Sequence, residues 1–322
     1  MDATVAHYRL LDRVGEGGLG EVYRARDTRV GRTVALKILP RGFLDKPTRR
    51  ERFLADAAAA SALSHPNIAT LFDVGQHEGR WFLAYEFVSG ETLRQQMGGR
   101  AMHPRHALEI AIQLADALAE AHARGVVHAD VRPENVVVTG KGSSKLLDTG
   151  MAGWTRGGAA RSQIATASVA GVGAAATAAY MSPEQIAGAE VDARTDLFSL
   201  GVIVYEMLTG RTPFAAATAA DTALNVTARV PPPATGIAVE LPKELDAMLA
   251  RALAKDVGSR QQSAVSFAAE LRTVAAILDV RAGENVPSSL IPLDDDGATS
   301  GKWWVVAALL GGLAVLGWIW LR

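Results

Sequence analysis

The 322-residue chain contains no cysteine. That absence removes disulfides, thiolate nucleophiles and cysteine-ligated zinc together, and it is compatible with a reducing compartment. Any metal site must be built from oxygen or nitrogen. An excess of either charge sign is also lacking, because 33 Lys and Arg face 34 Asp and Glu for a formal net charge of −1. No basic stripe runs beyond the short Arg49-Arg50-Glu51-Arg52, so the electrostatic footprint of a nucleic-acid partner is missing. The opening MDATVAHYRLLDRV has neither the basic region nor the apolar run of a secretory signal, and the domain that follows is expected to stay in the compartment where it is made. Disorder is excluded as well, since 49% hydrophobic and 21% charged residues suffice to bury a full core.

One long apolar run is present. Residues Trp303 to Leu321 carry no charge, and a helix of that length spans roughly 28 Å, close to the hydrocarbon thickness of a bilayer. Tryptophans at both ends (Trp303, Trp304, Trp318, Trp320) suit the two interfaces, bracketed by Lys302 and Arg322. These features predict one transmembrane helix over 303–321. A buried helix of a globular domain is the alternative, disfavoured by the lack of any polar face. Residues 281–301 are rich in Pro, Gly, Ser and Asp, so 279–302 is read as a juxtamembrane linker. One cation on each side does not orient the span; the lack of a signal does, placing everything before Lys302 in the cytoplasm on a single-pass anchor in the inner membrane. Ala307 with Gly311 and Ala308 with Gly312 stand four residues apart, a weak pointer to dimerisation through the helix.

Residues 8–88 read as short apolar or alternating segments broken by glycine-rich turns, with one helical stretch from about 47 to 63, which is a small sheet with a helix. From 91 to 278 the pattern is mostly helical. Leu108, Ile112, Ala115 and Leu118 recur at three to four residues in a segment ending near Gly125, a residue able to cap a helix. Gly157 to Ala179 is dominated by Ala, Gly, Ser, Thr and Val, with Arg161, Gln163 and Ile164 its only larger side chains, and is expected to be a mobile loop unless something pins it.

Four stretches carry chemistry. Gly15-Glu16-Gly17-Gly18-Leu19-Gly20-Glu21-Val22 lies between two strand-like runs, where glycines let a hairpin offer its N–H groups to phosphates; a hairpin with no ligand is the alternative. Val34-Ala35-Leu36-Lys37 sets a lysine in an apolar strand, which is costly to bury unless it meets an anion; a solvated edge lysine is the alternative. HADVRPEN at 128–135 places Asp130, Arg132 and Asn135 close together, and Asp148 follows thirteen residues after Asn135. Two oxygen ligands from adjacent loops, Asn135 and Asp148, suit Mg²⁺. Asp130 would orient an attacking hydroxyl and accept its proton late.

Taken in this order, the four stretches resemble the eukaryotic-like (Hanks-type) serine/threonine protein kinases of bacteria over roughly residues 8–275. The resemblance implies an α+β, two-lobed kinase fold with a β-rich lobe at 8–88, a helical lobe at 91–278, and ATP between them. Gly15, Gly17 and Gly20 match the phosphate-covering loop, and Val14, Glu16, Gly18, Val22 and Ala35 fall among the nucleotide-lining positions. Lys37 matches the phosphate-binding strand lysine. Glu86 and Val88 match the adenine-binding hinge, Asp130 the catalytic aspartate, and Asn135 and Asp148 the Mg²⁺ ligands. Arg132 stands where a lysine is expected near the γ-phosphate. Ser182-Pro183-Glu184 resembles the end of the activation segment, Arg260 an arginine paired with that glutamate, and Asp196 a brace for the catalytic loop.

The chain departs from the pattern in places. Ala129 replaces the arginine before the catalytic aspartate, Thr149 replaces a phenylalanine beside Asp148, and Asp56 stands for the helix glutamate that pairs with the strand lysine. The expected function is Ser/Thr phosphorylation of proteins at low activity, with Thr155, Ser162, Thr166, Ser168 and Thr177 as autophosphorylation candidates. The alternative is an ATP-binding pseudokinase scaffold at the membrane.

Overall fold

The computed structural model describes residues 3–17, 19–154, 176–238 and 241–284. The chain divides into two units, 1–280 and 281–322, and almost all of the described residues lie in the first. No helix among the described residues is long and apolar enough to cross a membrane. The predicted span at 303–321 and most of the linker lie outside them, as do Gly18 and four of the five autophosphorylation candidates, Thr155, Ser162, Thr166 and Ser168.

The first part of the chain builds a six-stranded antiparallel sheet from β1 (Thr4–Val5), β2 (Tyr8–Gly17), β3 (Gly20–Asp27), β4 (Thr33–Ile38), β5 (Leu71–His77) and β6 (Arg80–Glu86), in the order β1-β2-β3-β4-β6-β5. Alternation makes β4 a strand: Val34, Leu36 and Ile38 are buried while Thr33, Ala35 and Lys37 are partly exposed, so Lys37 faces away from the Leu36 side. Gly17 pairs with Gly20, closing the β2–β3 hairpin in two residues. Helix α1 (Pro47–Ser61) begins at a proline, which fits the first helical turn, and packs Phe53, Ala57 and Ala60 inward.

The second part is helical. Helix α2 (Leu93–Met97) opens on a capping box at Thr92 and Gln95 and closes on left-handed Gly98. In α3 (Pro104–Ala123) the stripe Leu108, Ala111, Ala115 and Leu118 is buried. A three-stranded sheet, β7 (Glu91–Thr92), β8 (Val136–Val138) and β9 (Ser144–Leu146), carries the chemical loops on its ends. Beyond it come α4 (Pro183–Ile186), α5 (Ala193–Thr209), α6 (Ala219–Ala228), α7 (Lys243–Ala252) and α8 (Ala264–Glu284). Every residue of α5 from Thr195 to Leu208 is buried, the mark of a helix enclosed on all sides.

Two expectations are corrected. Helix α8 continues to Glu284, into the stretch expected to be linker, because Arg281, Ala282 and Glu284 favour helix and the first breaking proline is Pro287. The small-residue run expected to be mobile up to Ala179 is fixed at its end: Ala178 and Ala179 are 0% and 2% exposed, small enough to sit against the Tyr180 and α5 core.

Candidate active site

The two loops flanking β8 and β9 meet through the backbone. The Leu147 N–H donates to the Asn135 carbonyl at 2.8 Å, which sets Asp148 beside Asn135. The Asn135 side-chain amide donates to both the carbonyl and the carboxylate of Asp130, each at 2.9 Å. Asp130 is aimed by this amide and by its own N–H, which donates to His128 Nδ1 at 3.1 Å. His128 is fully buried, and its other ring nitrogen lies 2.8 Å from the Leu147 carbonyl. One imidazole therefore spans the 128–135 loop and the Asp148 loop.

Asp196, fully buried on α5, accepts from the backbone N–H groups of His128 at 2.9 Å and Ala129 at 2.7 Å, with His122 Nε2 at 2.8 Å. This brace holds Ala129 in a left-handed conformation, φ 61°, which costs energy for a residue with a Cβ. Gln185 completes the hold by donating to the Ala129 carbonyl at 2.8 Å.

Lys37 does not pair with Asp56. Its ammonium binds both oxygens of Asp148, Oδ2 at 2.6 Å, with side chains only 12% and 10% exposed. Asp56 instead accepts from the Trp154 indole N–H at 2.8 Å. Asp148 offers Lys37 a bidentate, charge-assisted carboxylate at contact distance.

Glycines of the hairpin have separate reasons. A Cβ on Gly15 would meet open space, which leaves its backbone approachable by a ligand. Gly20 sits at φ +132°, and a Cβ there would lie 2.3 Å from the Ile38 carbonyl oxygen, so this glycine serves the close approach of β3 to β4. Leu19, at the tip, is buried in the cluster containing Leu39, Phe53 and Met151.

At the hinge, Glu86 is fixed by Lys145 Nζ at 3.0 Å and by the Thr70 N–H at 3.3 Å, while its own N–H donates to the Thr70 carbonyl. Val14 is exposed at 58%. Ala35 pairs across the sheet with Tyr85, and Val22 with Lys37. Arg132 donates to the Thr177 hydroxyl at 3.0 Å; its Nε lies 3.1 Å from Glu134, an ion pair too poorly aimed for a hydrogen bond. Thr177 is thus a fixed part of the loop contact, which argues against its reading as a free modification site.

Further supports lie around this centre. Arg260, with a fully buried side chain, binds Glu184 at 2.7 and 3.0 Å, and Thr195 adds a third bond to that carboxylate at 2.6 Å. Burial opposes ionisation of Glu184, but the Arg260 and Thr195 hydrogen bonds outweigh it and hold the carboxyl below its ordinary value. Arg94 joins Glu134 at 2.9 Å, Glu206 at 2.8 Å and the Tyr180 hydroxyl. Burial and the Glu206 carboxylate push Tyr180 well above its ordinary value.

Asn135 and Asp148 are suited to a magnesium ion by donor chemistry: they provide oxygens only, on loops tied together by a hydrogen bond, and Asp148 already holds a cation in the form of the Lys37 ammonium. No cluster of three or more acidic or histidine side chains able to hold a metal occurs among the described residues.

Sequence reading did not single out Trp154, Tyr85, Gln185 or His122. A tryptophan beside a long run of small residues was the available signal for Trp154; the others carry none.

A family model described as the protein kinase domain matches residues 8–269. Over 262 residues the chain is 38% identical to the probable serine/threonine-protein kinase SCO3848 of Streptomyces coelicolor, covering 80% of this chain and 38% of that protein. It is 35% identical over 280 residues to the serine/threonine-protein kinase pkn3 of Myxococcus xanthus, covering 84% and 50%. With PknB of Mycobacterium leprae it shares 36% identity over 269 residues, covering 82% and 42%. The chain thus spans between 38% and 50% of the length of these curated relatives. Its fold is similar to the crystal structure of the PknI kinase domain of Mycobacterium tuberculosis, with a TM-score of 0.66 at 28% identity over 85% of this chain and 98% of that one. These likenesses run through both the sheet and the helical part, and the chain belongs to the protein kinase domain family.

Proposed function

We propose that this protein is an ATP- and Mg²⁺-dependent kinase that phosphorylates serine and threonine hydroxyls of protein substrates. The observation that carries the reading is the joined pair of loops, in which Asn135 touches Asp130 by side chain and Leu147, next to Asp148, by backbone. The relatives named serine/threonine-protein kinases support the substrate class.

In this reading the glycine hairpin at 15–20 covers the phosphates, Lys37 binds them, and the backbone of Glu86 and Val88 receives the adenine. Asn135 and Asp148 hold the magnesium ion, which neutralises phosphate charge when bound. Asp130 orients the incoming hydroxyl. That oxygen bonds to the γ-phosphorus as the bond to the β-phosphate oxygen breaks and ADP leaves, and Asp130 takes the hydroxyl proton. Arg132 supplies positive charge near the transferred group. Residues 303–321 anchor the chain in the cytoplasmic membrane with the kinase domain on the ATP-containing side, supported by an uncharged run with tryptophans at both ends.

Incubating the full-length chain with Mg-ATP labelled at the γ-phosphate, with a general acceptor protein, tests the assignment. Label in phosphoserine and phosphothreonine, lost in Asp130→Asn, supports it. Nucleotide binding with no transfer supports the pseudokinase alternative, which the Asp56–Trp154 bond favours because it withholds the helix carboxylate from Lys37.

A further inference from the structure

Helices α5 and α7 and the segment that joins α6 to α7 enclose a cavity of about 520 Å³, within the range of small-molecule sites. Tyr205 of α5 forms part of its wall, and Val230, 80% exposed, stands at its rim. Ala247 and Ala250, three residues apart on α7, line it together, so two short side chains on one helix face leave the space open.

The wall suits a chain of methylenes better than a peptide. Pro231, Pro232 and Pro233 line it and have no N–H to offer. The lining residues of α7 use their backbone groups inside the helix. A peptide entering here would bury carbonyls without donors, which is costly, whereas an apolar chain has no such groups to satisfy.

One charged group at the wall is unsatisfied. Lys255 lines the cavity just beyond the end of α7, and its ammonium is buried without a hydrogen-bond partner. It lies 3.7 Å from the Phe214 ring centre and 5.3 Å from that of Phe198, two rings stacked with centroids 5.7 Å apart. A second cation shares the stack: the Arg260 guanidinium is 5.0 Å from Phe198, but Arg260 has Glu184 as its counter-ion. Burial, with Arg260 adding to it, lowers the Lys255 ammonium to about 8, so at pH 7 it remains charged and without an anion. Buried orphans of this kind are rare and call for a physical reason. Asp246, the other charged residue at the wall, does not provide one. Its carboxylate accepts from the Thr235 N–H and hydroxyl, and roughly 9 Å of helix separates it from the end of α7.

We propose that this cavity binds a free fatty carboxylate, its chain along the alanine and proline wall and its head on the Lys255 ammonium. A phospholipid pairs a chain with an anion too, but in a bilayer its chains are turned away from water and from this wall. The site goes beyond the kinase reading and does not depend on phosphate transfer.

The test is calorimetric titration of the full-length chain at pH 7 with decanoate, decanol and acetate. Decanoate is expected to bind at one site per chain, decanol at least about tenfold more weakly, the size of one lost charge contact, and acetate not at all. Lys255→Met keeps the apolar stem of the side chain and removes its charge; it is expected to bring decanoate down to the affinity of decanol and to leave decanol unchanged. Ala250 is exposed, so Ala250→Trp fills the cavity from the solvent side and is expected to abolish both. Melting temperatures confirm that each variant is folded; should Lys255→Met fail to fold, Ala250→Trp and the comparison of acid with alcohol decide. Equal affinity for decanoate and decanol in the wild type, decanoate binding unchanged in either folded variant, or binding of phosphatidylglycerol vesicles without binding of decanoate overturns the proposal.

Discussion

Lys37 and Asp148 are bound to each other across 111 residues of chain, ammonium to Oδ2 at 2.6 Å, although the proposed reaction would need them separately, for phosphates and for a metal ion. The pair keeps two charges satisfied where both side chains are largely buried.

Removing one partner leaves the other charge uncompensated. Lys37→Met is expected to abolish phosphate transfer and to lower stability by about 3–5 kcal/mol, the usual cost of orphaning a buried charge. Lys37→Met with Asp148→Asn removes both charges and is expected to recover most of that stability without recovering activity. Denaturant unfolding of the single and double variants checks this.

Gly15 and Gly20 are expected to respond differently to alanine. At Gly20 the positive φ and the Ile38 carbonyl leave no room for a Cβ, and the loss is about 1–3 kcal/mol, the cost of a strained backbone. At Gly15 the space is open, and stability is expected to change by no more than about 0.5 kcal/mol. Melting temperatures of the two variants check the contrast.

Glu184 predicts a pH dependence. Its carboxyl titrates below its ordinary value of 4.5 in the folded chain, because the Arg260 and Thr195 bonds outweigh burial. The folded state therefore binds fewer protons than the unfolded one, and the stability this gives is present in full above the unfolded value and lost as pH falls through the folded one. The stability gap between wild type and Glu184→Gln is expected to be constant above about pH 5 and to shrink as pH falls below 4.5. Unfolding of both across this range is the check.

Asp130→Asn keeps the size of the side chain and its bond to the Asn135 amide, but removes the proton acceptor. Transfer is expected to fall by about a hundredfold or more, with Mg-ATP affinity unchanged within twofold. Calorimetry beside a transfer assay separates the two effects.

Much of this site was legible in the sequence because its parts sit on short-range signals. The hairpin shows in glycines between two alternating runs, Lys37 in a strand pattern, and Asp130, Asn135 and Asp148 in loops just before and after β8 and β9. What spacing does not encode is which carboxylate a cation chooses. The sequence offers Lys37 a carboxylate on α1 and another after β9; in the fold it takes Asp148, while Asp56 is held by the Trp154 indole, 98 residues away. The same holds for Gly20, whose glycine reads as phosphate contact from its motif and proves to be needed by Ile38. The enclosure of α5 is a property of packing that no local period specifies.

The central claim is that Asp148 leaves Lys37 to take magnesium with ATP. It is tested most directly by calorimetric titration of the full-length chain with ATP, with and without Mg²⁺, in wild type and in Asp148→Asn. Magnesium is expected to tighten ATP binding at least about tenfold in the wild type, a coupling near 1.4 kcal/mol, and to have little effect in the variant. Equal affinity with and without magnesium in the wild type, or the same gain in Asp148→Asn, would contradict the account.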